Sequence, residues 1–261
     1  PATGCTEIGA VALAAVWAVL SLAPGVETPD RIEVEVDENT YKNALGVGVP
    51  GTGESGLGFA AAMGALSSGK VEKGLQILES PDPATVKRAK VMLSERRVEV
   101  VRISGAGELL VRAKAYSKSN HASALIQGSH DHLVGVEKNG KPYHGAPVSG
   151  KDFWKQTEEI KKESYRSFGE FVQKIDLEEF PILKQALEMN MRFAAEAQKE
   201  SSLLRIGQAM KKYGDRVDSG EGLSGRIQFL TALAVEARMN GLDFPVMACA
   251  GSGNQGLVAT L

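Results

Sequence analysis

The chain has 261 residues, 43% of them hydrophobic and 24% charged, with a formal net charge of −2. That length and balance fit a globular protein with a real core, in one large or two small domains. They exclude the basic stripe with interleaved aromatics that marks a nucleic-acid surface. The only two cysteines, Cys5 and Cys249, stand at opposite ends and make no disulfide framework, which fits a reducing cytoplasm.

Gly4-Cys5-Thr6-Glu7 stands directly before the uncharged run Ile8 to Ala23. The run is short for a bilayer span, and no basic residue precedes it as in a signal peptide. It is predicted to be a helix buried on all sides. Cys5 would then sit at a helix start, where unpaired N–H groups favour a thiolate, the form that binds soft metals. Pro24-Gly25 and Pro29-Asp30 mark breaks, and Arg31 to Val36 alternates as a half-buried strand does. Tyr41 to Gly56 reads as a glycine-rich loop. Leu57 to Leu66, Val71 to Leu78 and Pro83 to Ser94 read as helices, the last capped by Asp82 with Pro83 at its first position.

The period then changes. Val98–Ser104, Glu108–Tyr116, Ala122–Gln127 and His132–Glu137 read as an antiparallel meander, with Asn139-Gly140 as a hairpin turn and the strand at 31–36 joining the sheet. Helices are expected again at 152–165, 181–199, 203–213 and 224–240, the last ending at Gly241 and apolar enough to be buried. The fold class is α+β. A helical lobe is expected from both chain ends, 1–26 and 151–261, with a small antiparallel-sheet lobe, 27–150, inserted between them.

Three motifs mislead. Gly46-Val47-Gly48-Val49-Pro50-Gly51 has dinucleotide-loop spacing but neither the strand before it nor the helix after it, and Pro50 lies inside. Gly64 to Lys70 resembles a phosphate loop, but Val71 stands where a hydroxyl should hold magnesium. His130-Asp131-His132 could pair two imidazoles on a metal, or form a polar strand edge. Cys249, in apolar surroundings, reads as a small buried hydrophobe.

The second polar cluster is Gly251-Ser252-Gly253-Asn254-Gln255-Gly256, whose small residues can bring N–H groups close to an anion. Taken together, residues 1–7, Tyr41 to Thr52 and Gly251 to Gly256 resemble the L-cysteine desulfidase family, related to the α-domain of iron–sulfur L-serine dehydratases. The resemblance runs along the whole chain and implies a cytoplasmic lyase with a 4Fe–4S cluster and a small amino-acid substrate. L-cysteine would give pyruvate, ammonia and sulfide; L-serine by the same mechanism, or a cluster-free scaffold of the same fold, are the alternatives.

Cys5 matches that family's first cluster ligand. The implied roles are Glu7 as base or orienting group, Lys42 and Asn43 as a second polar wall, and Thr6, Ser252, Gly253, Asn254 and Gly256 as substrate contacts. His130 falls where that family's central sheet is expected. The family's other cluster cysteines lie downstream of the 251–256 motif, and Cys249 matches neither. The chain is therefore expected to be a piece of a longer enzyme, without cluster or activity by itself. No nucleic-acid or membrane partner is expected, and a homodimer fits the reading. Cys5 and Ser252–Gly256 should lie together, bordered by the Gly46–Gly56 loop.

Overall fold

The computed structural model describes residues 1–22, 25–26, 28–147, 155–199, 206, 209–210 and 223–261. Strand β1 (Ala2–Thr3) leads into helix α1 (Thr6–Leu20). Ile8, Val11, Ala15, Val16 and Ala18 are all fully buried, so α1 runs through the centre as its all-apolar sequence requires. Strand β2 (Arg31–Asp37) turns Ile32, Val34 and Val36 inward and Arg31, Glu33 and Glu35 outward. Helix α2 (Glu38–Ala44) follows at once, capped by Asp37. This replaces the first part of the loop expected at 41–56. Asp37 accepts the first-turn N–H groups of Asn39 and Thr40, and that cap starts a helix whose own side chains carry no apolar period.

Helix α3 (Leu57–Ala65) crosses α1 closely. A Cβ on Gly64 would stand 2.2 Å from the Ala12 carbonyl oxygen, so only glycine permits that crossing. A 3₁₀ segment (Ser68–Gln76) and helix α4 (Pro83–Ser94) come next, the latter capped by Asp82 as read from the sequence. Strands β3 (Val98–Ile103), β4 (Leu110–Ser117), β5 (Asn120–Gln127), β6 (Leu133–Lys138) and β7 (Lys141–Pro142) complete a six-stranded sheet in the order β3-β2-β4-β5-β6-β7. Asn139 and Gly140 both take positive φ, as a two-residue hairpin demands.

The sheet is mixed, not antiparallel throughout. β3 pairs with β2 in parallel, because α3 and α4 carry the chain across the sheet between them. On the inward face, Ala113, Ala115, Ala122 and Ala124 give α1 room to lie against β4 and β5. On the outward face, Arg112 and Lys114 pair with Glu35 and Glu33 at 2.5–2.8 Å across the strands.

The remaining helices are α5 (Lys155–Ile160), α6 (Tyr165–Lys174), α7 (Pro181–Ala197), α8 (Leu223–Met239) and α9 (Gly253–Thr260), with β8 (Pro245–Val246) before the last. The start of the helix expected at 152–165, and nearly all of that at 203–213, lie outside the described residues. α8 is not buried along its length: Leu233, Ala234, Ala237 and Arg238 form its inner face, while Gln228 and its neighbours at the start meet solvent. Gly241 ends it with φ of +89°, its N–H on the Arg238 carbonyl and that of Leu242 on Ala237, a Schellman closure.

Two apolar cores result. One joins α1, α3 and α4 to the sheet; the other joins α7, α8 and α9 through Phe193, Leu233, Leu242, Val246 and Leu257. The division expected from the sequence, with 1–26 in the C-terminal helical lobe, is corrected here. α1 has no polar face, so it lies between the sheet and α3, and only the first residues of the chain reach the C-terminal layer. They do so by pairing β1 with β8, Ala2 opposite Val246. Asn190 of α7 fastens β8 from the other side, bonding both the N–H (2.8 Å) and the carbonyl (3.2 Å) of Met247. No helix among the described residues is long and apolar enough to cross a membrane.

Candidate functional site

The β1–β8 pairing sets the amino end of α1 close to the end of α8 and the start of α9. Cys5 is the N-cap residue of α1 and is 5% exposed. Its Sγ donates to Glu7 Oε2 at 2.6 Å, Thr6 Oγ1 donates to the same oxygen at 3.1 Å, and Asn43 Nδ2 of α2 donates to Glu7 Oε1 at 3.0 Å. One carboxylate thus gathers three of the residues picked out in the sequence.

The expected thiolate is not what this environment favours. Burial first, then the adjacent Glu7 charge, push the Cys5 thiol up to about 12; the Arg238 charge acts the other way and is outweighed. A helix amino end contributes about 0.3–1 kcal/mol, less than one pKa unit, and cannot reverse that. Burial pushes Glu7 up too, but the hydrogen bonds it accepts, from Cys5 and then Asn43 among others, bring it below the usual carboxylate value.

On the other side, Ser252 caps α9 by accepting the Gln255 N–H at 3.3 Å. The 251–256 cluster is therefore a helix start and not only a loop. Asn254 Oδ1 accepts from Arg238 Nη1 at 2.8 Å. Arg238 is 2% exposed, and its Nε and Nη2 have no hydrogen-bond partner among the described residues. Burial lowers its guanidinium from the ordinary value, while Cys5 and Glu7 nearby act the other way, so the three groups lie within electrostatic reach. Gly253 rests on the guanidinium, since a Cβ there would stand 2.5 Å from Cζ.

His130 lies in the turn between β5 and β6, its Nδ1 3.4 Å from where a Gly251 Cβ would be. Burial holds it below the ordinary imidazole value despite the opposing charges of Glu7, Asp131 and Asp37, so it is neutral at neutral pH. His132 is buried with Nδ1 2.9 Å from the Gln127 carbonyl, and neither histidine belongs to a group of three or more His, Cys, Asp or Glu among the described residues that could hold a metal ion.

The structure therefore gathers Cys5, Thr6, Glu7 and Asn43 in one hydrogen-bonded group, and Gly253 and Asn254 around Arg238. Lys42 is exposed on α2 and makes no hydrogen bond or ion pair with the group among the described residues. A Cβ on Gly256 would stand 2.0 Å from the Met247 carbonyl oxygen, so this glycine serves the close packing of α9 on the segment after β8. Cys249 is exposed, because it stands in the tight turn that bridges to Ser252. The glycine-rich loop sits against the end of α8, with Gly48 N–H on the Met239 carbonyl at 2.8 Å and Pro50 against Gly4.

Sequence reading missed Arg238. A lone cation in the last turn of a helix is the ordinary complement to the helix dipole. Its one unusual sign was company: Ala234, Val235, Ala237 and Met239 surround it.

Fold and cluster together define an α+β protein with a buried thiol–carboxylate–guanidinium site between two cores. The family described as serine dehydratase alpha chain matches residues 72–261, and the chain belongs to that family. Curated relatives match it over 99–100% of its length, which includes residues ahead of the family match. A UPF0597 protein of Methanocella arvoryzae is 37% identical over 99% of this chain and 59% of its own length. UPF0597 proteins of Vibrio campbellii and Shewanella woodyi are 34% and 36% identical over 100% of this chain and 61% of theirs. The chain thus spans about three fifths of these relatives. No solved structure matches it.

Proposed function

We propose that this chain carries the amino-acid-binding part of a lyase that removes the β-substituent of a small L-amino acid, with L-cysteine as substrate. The observation that carries this is the convergence of Cys5, Glu7 and Asn43 with Arg238 and Asn254 from four separate stretches of chain. L-serine is the second reading, favoured by the family to which the chain belongs.

In such an elimination a base takes the α-proton and the Cβ–S or Cβ–O bond breaks. The aminoacrylate left behind adds water and releases ammonia and pyruvate. Glu7 already accepts three hydrogen bonds, which suits it to orient Cys5 and leaves little capacity for a substrate proton. Neutral His130 has that capacity. Asn254, itself held by Arg238, offers its amide at the amino end of α9.

A four-iron cluster takes at least three protein thiolates. This sequence has two cysteines, Cys249 is exposed, and no group of three His, Cys, Asp or Glu among the described residues can hold a metal ion. These residues do not fit a self-contained cluster; at Cys5 they offer one buried soft donor. Anaerobic reconstitution of the chain with iron and sulfide should leave far less than four irons per chain, and stoichiometric uptake would overturn that count.

The functional test measures pyruvate, with sulfide in parallel, from the full-length protein given L-cysteine or L-serine. Glu7→Gln and His130→Asn should each lower the rate by about 10²-fold or more. A full-length protein that releases pyruvate from neither amino acid would refute the lyase reading.

A further inference from the structure

We infer that Arg238, at the amino end of α9, binds the carboxylate of a small organic acid. The first argument is desolvation. A guanidinium at 2% exposure with two nitrogens unbonded among the described residues is costly, because buried polar groups nearly always find partners. No described carboxylate pairs with it. Glu7 is within charge reach, but both its oxygens are engaged by Cys5, Thr6 and Asn43.

The second argument is which nitrogens remain. Nη1 is taken by Asn254 Oδ1 at 2.8 Å. Nε and Nη2 are left, and their N–H bonds lie side by side along one edge of the guanidinium. That edge matches the two oxygens of a carboxylate and cannot be satisfied equally well by one hydroxyl or carbonyl.

The third argument is the support. Gly253 lies against the guanidinium with no room for a Cβ, and Asn254 Nδ2 is 3.6 Å from Met239 Sδ, so both sides of the Arg238–Asn254 bond are packed. The first N–H groups of α9, at Gly253 and Asn254, have no acceptor within the helix and add positive potential beside the edge. The guanidinium is thus held in place by Gly253 and Asn254 in the structure as it stands. The kind of acid rests on the lyase reading: a small amino acid, or the keto acid it yields. The anion site itself rests on Arg238 alone.

The test is calorimetric titration of the 261-residue chain with pyruvate, and with L-serine beside L-serinamide, which lacks the carboxylate. Pyruvate and L-serine should bind saturably and L-serinamide at least about tenfold more weakly. Arg238→Met should weaken pyruvate at least about tenfold, and Arg238→Lys should weaken it as well, because an ammonium has no paired edge. Asn254→Asp supplies an internal carboxylate: pyruvate affinity should fall while the melting temperature rises.

Equal binding of L-serine and L-serinamide, or pyruvate affinity within twofold of wild type in a folded Arg238→Met, would overturn the inference. If Arg238→Met does not fold, Asn254→Asp decides, and unchanged affinity with unchanged melting rejects the site. These readouts need no turnover. The anion site can therefore fail while the lyase reading stands, or hold if no pyruvate is released from either amino acid.

Discussion

Asp37 and Arg238 are both charges held almost wholly out of water, at 5% and 2% exposure, and their surroundings differ. Asp37, between β2 and α2, accepts from the N–H groups of Asn39, Thr40 and Leu110 and from the Thr40 hydroxyl, at 2.6–3.0 Å. Burial pushes its carboxyl up, but those donors outweigh it and hold the group below the usual carboxylate value. Among the described residues, Arg238 donates to one neighbour and keeps two nitrogens idle. A buried charge saturated from within its own chain ties elements together; one left half-bonded has capacity reserved for something that is not the chain.

That contrast breaks most visibly at Asp37. Asp37→Ala takes the acceptor from three backbone donors, one buried and two partly buried, and should cost about 2–3 kcal/mol, read as a lower urea midpoint at unchanged slope. A loss near zero would mean that saturation does not distinguish scaffold charges from site charges. Asn190→Ala extends the test to a neutral group in the second core. Three bonds to Met247 and Thr260 are lost, for about 2 kcal/mol.

Gly64→Ala probes the scaffold without touching polar groups. The added methyl meets the Ala12 backbone and should cost about 1–3 kcal/mol by forcing α1 from α3, seen as a lower melting temperature. Arg238→Met should sit at the other extreme, within about 1 kcal/mol of wild type, since removing an under-bonded buried charge relieves as much as it loses. A loss as large as that at Asp37 would make Arg238 a scaffold residue.

The smallest effect is one of pH. The folded-state value of Asp37 lies below its unfolded value of about 3.9. Its contribution is therefore complete above that pH and disappears as pH falls through the folded-state value. The stability gap between wild type and Asp37→Asn, measured by urea unfolding from pH 6 downward, should narrow in acid. A gap that widens there would contradict the hydrogen-bond account.

Much of the site was legible as motifs, and little of it as geometry. Cys5, Glu7, Asn43 and Asn254 stand in short polar stretches that break the apolar pattern; the first three meet in one hydrogen-bonded group, and Asn254 meets Arg238. Their roles changed on meeting one another: Cys5 is a buried thiol on a carboxylate, because Glu7 and desolvation outweigh a helix end. Lys42 is adjacent to Asn43 in sequence, yet helical geometry turns neighbouring side chains apart. Cys249 looked apolar by its neighbours and is exposed by its turn.

The sequence by itself determined what depends on neighbours along the chain. The apolar run at 8–23 pointed to a central helix, alternation at 31–36 and the Val, Ile and Leu content of 108–116 and 122–127 marked strands, and Asp82, Asn139-Gly140 and Gly241 placed caps and a turn. The α+β class follows from those signals. The tertiary structure decided what depends on neighbours across space: the parallel pairing of β2 and β3, the place of α1 with the sheet, the meeting of β1 with β8, and the two nitrogens of Arg238 left unbonded among the described residues. Periodicity and capping are short-range and written in spacing. Whether a buried hydrogen-bonding group finds a partner is settled by residues hundreds of positions away, and no local pattern records it.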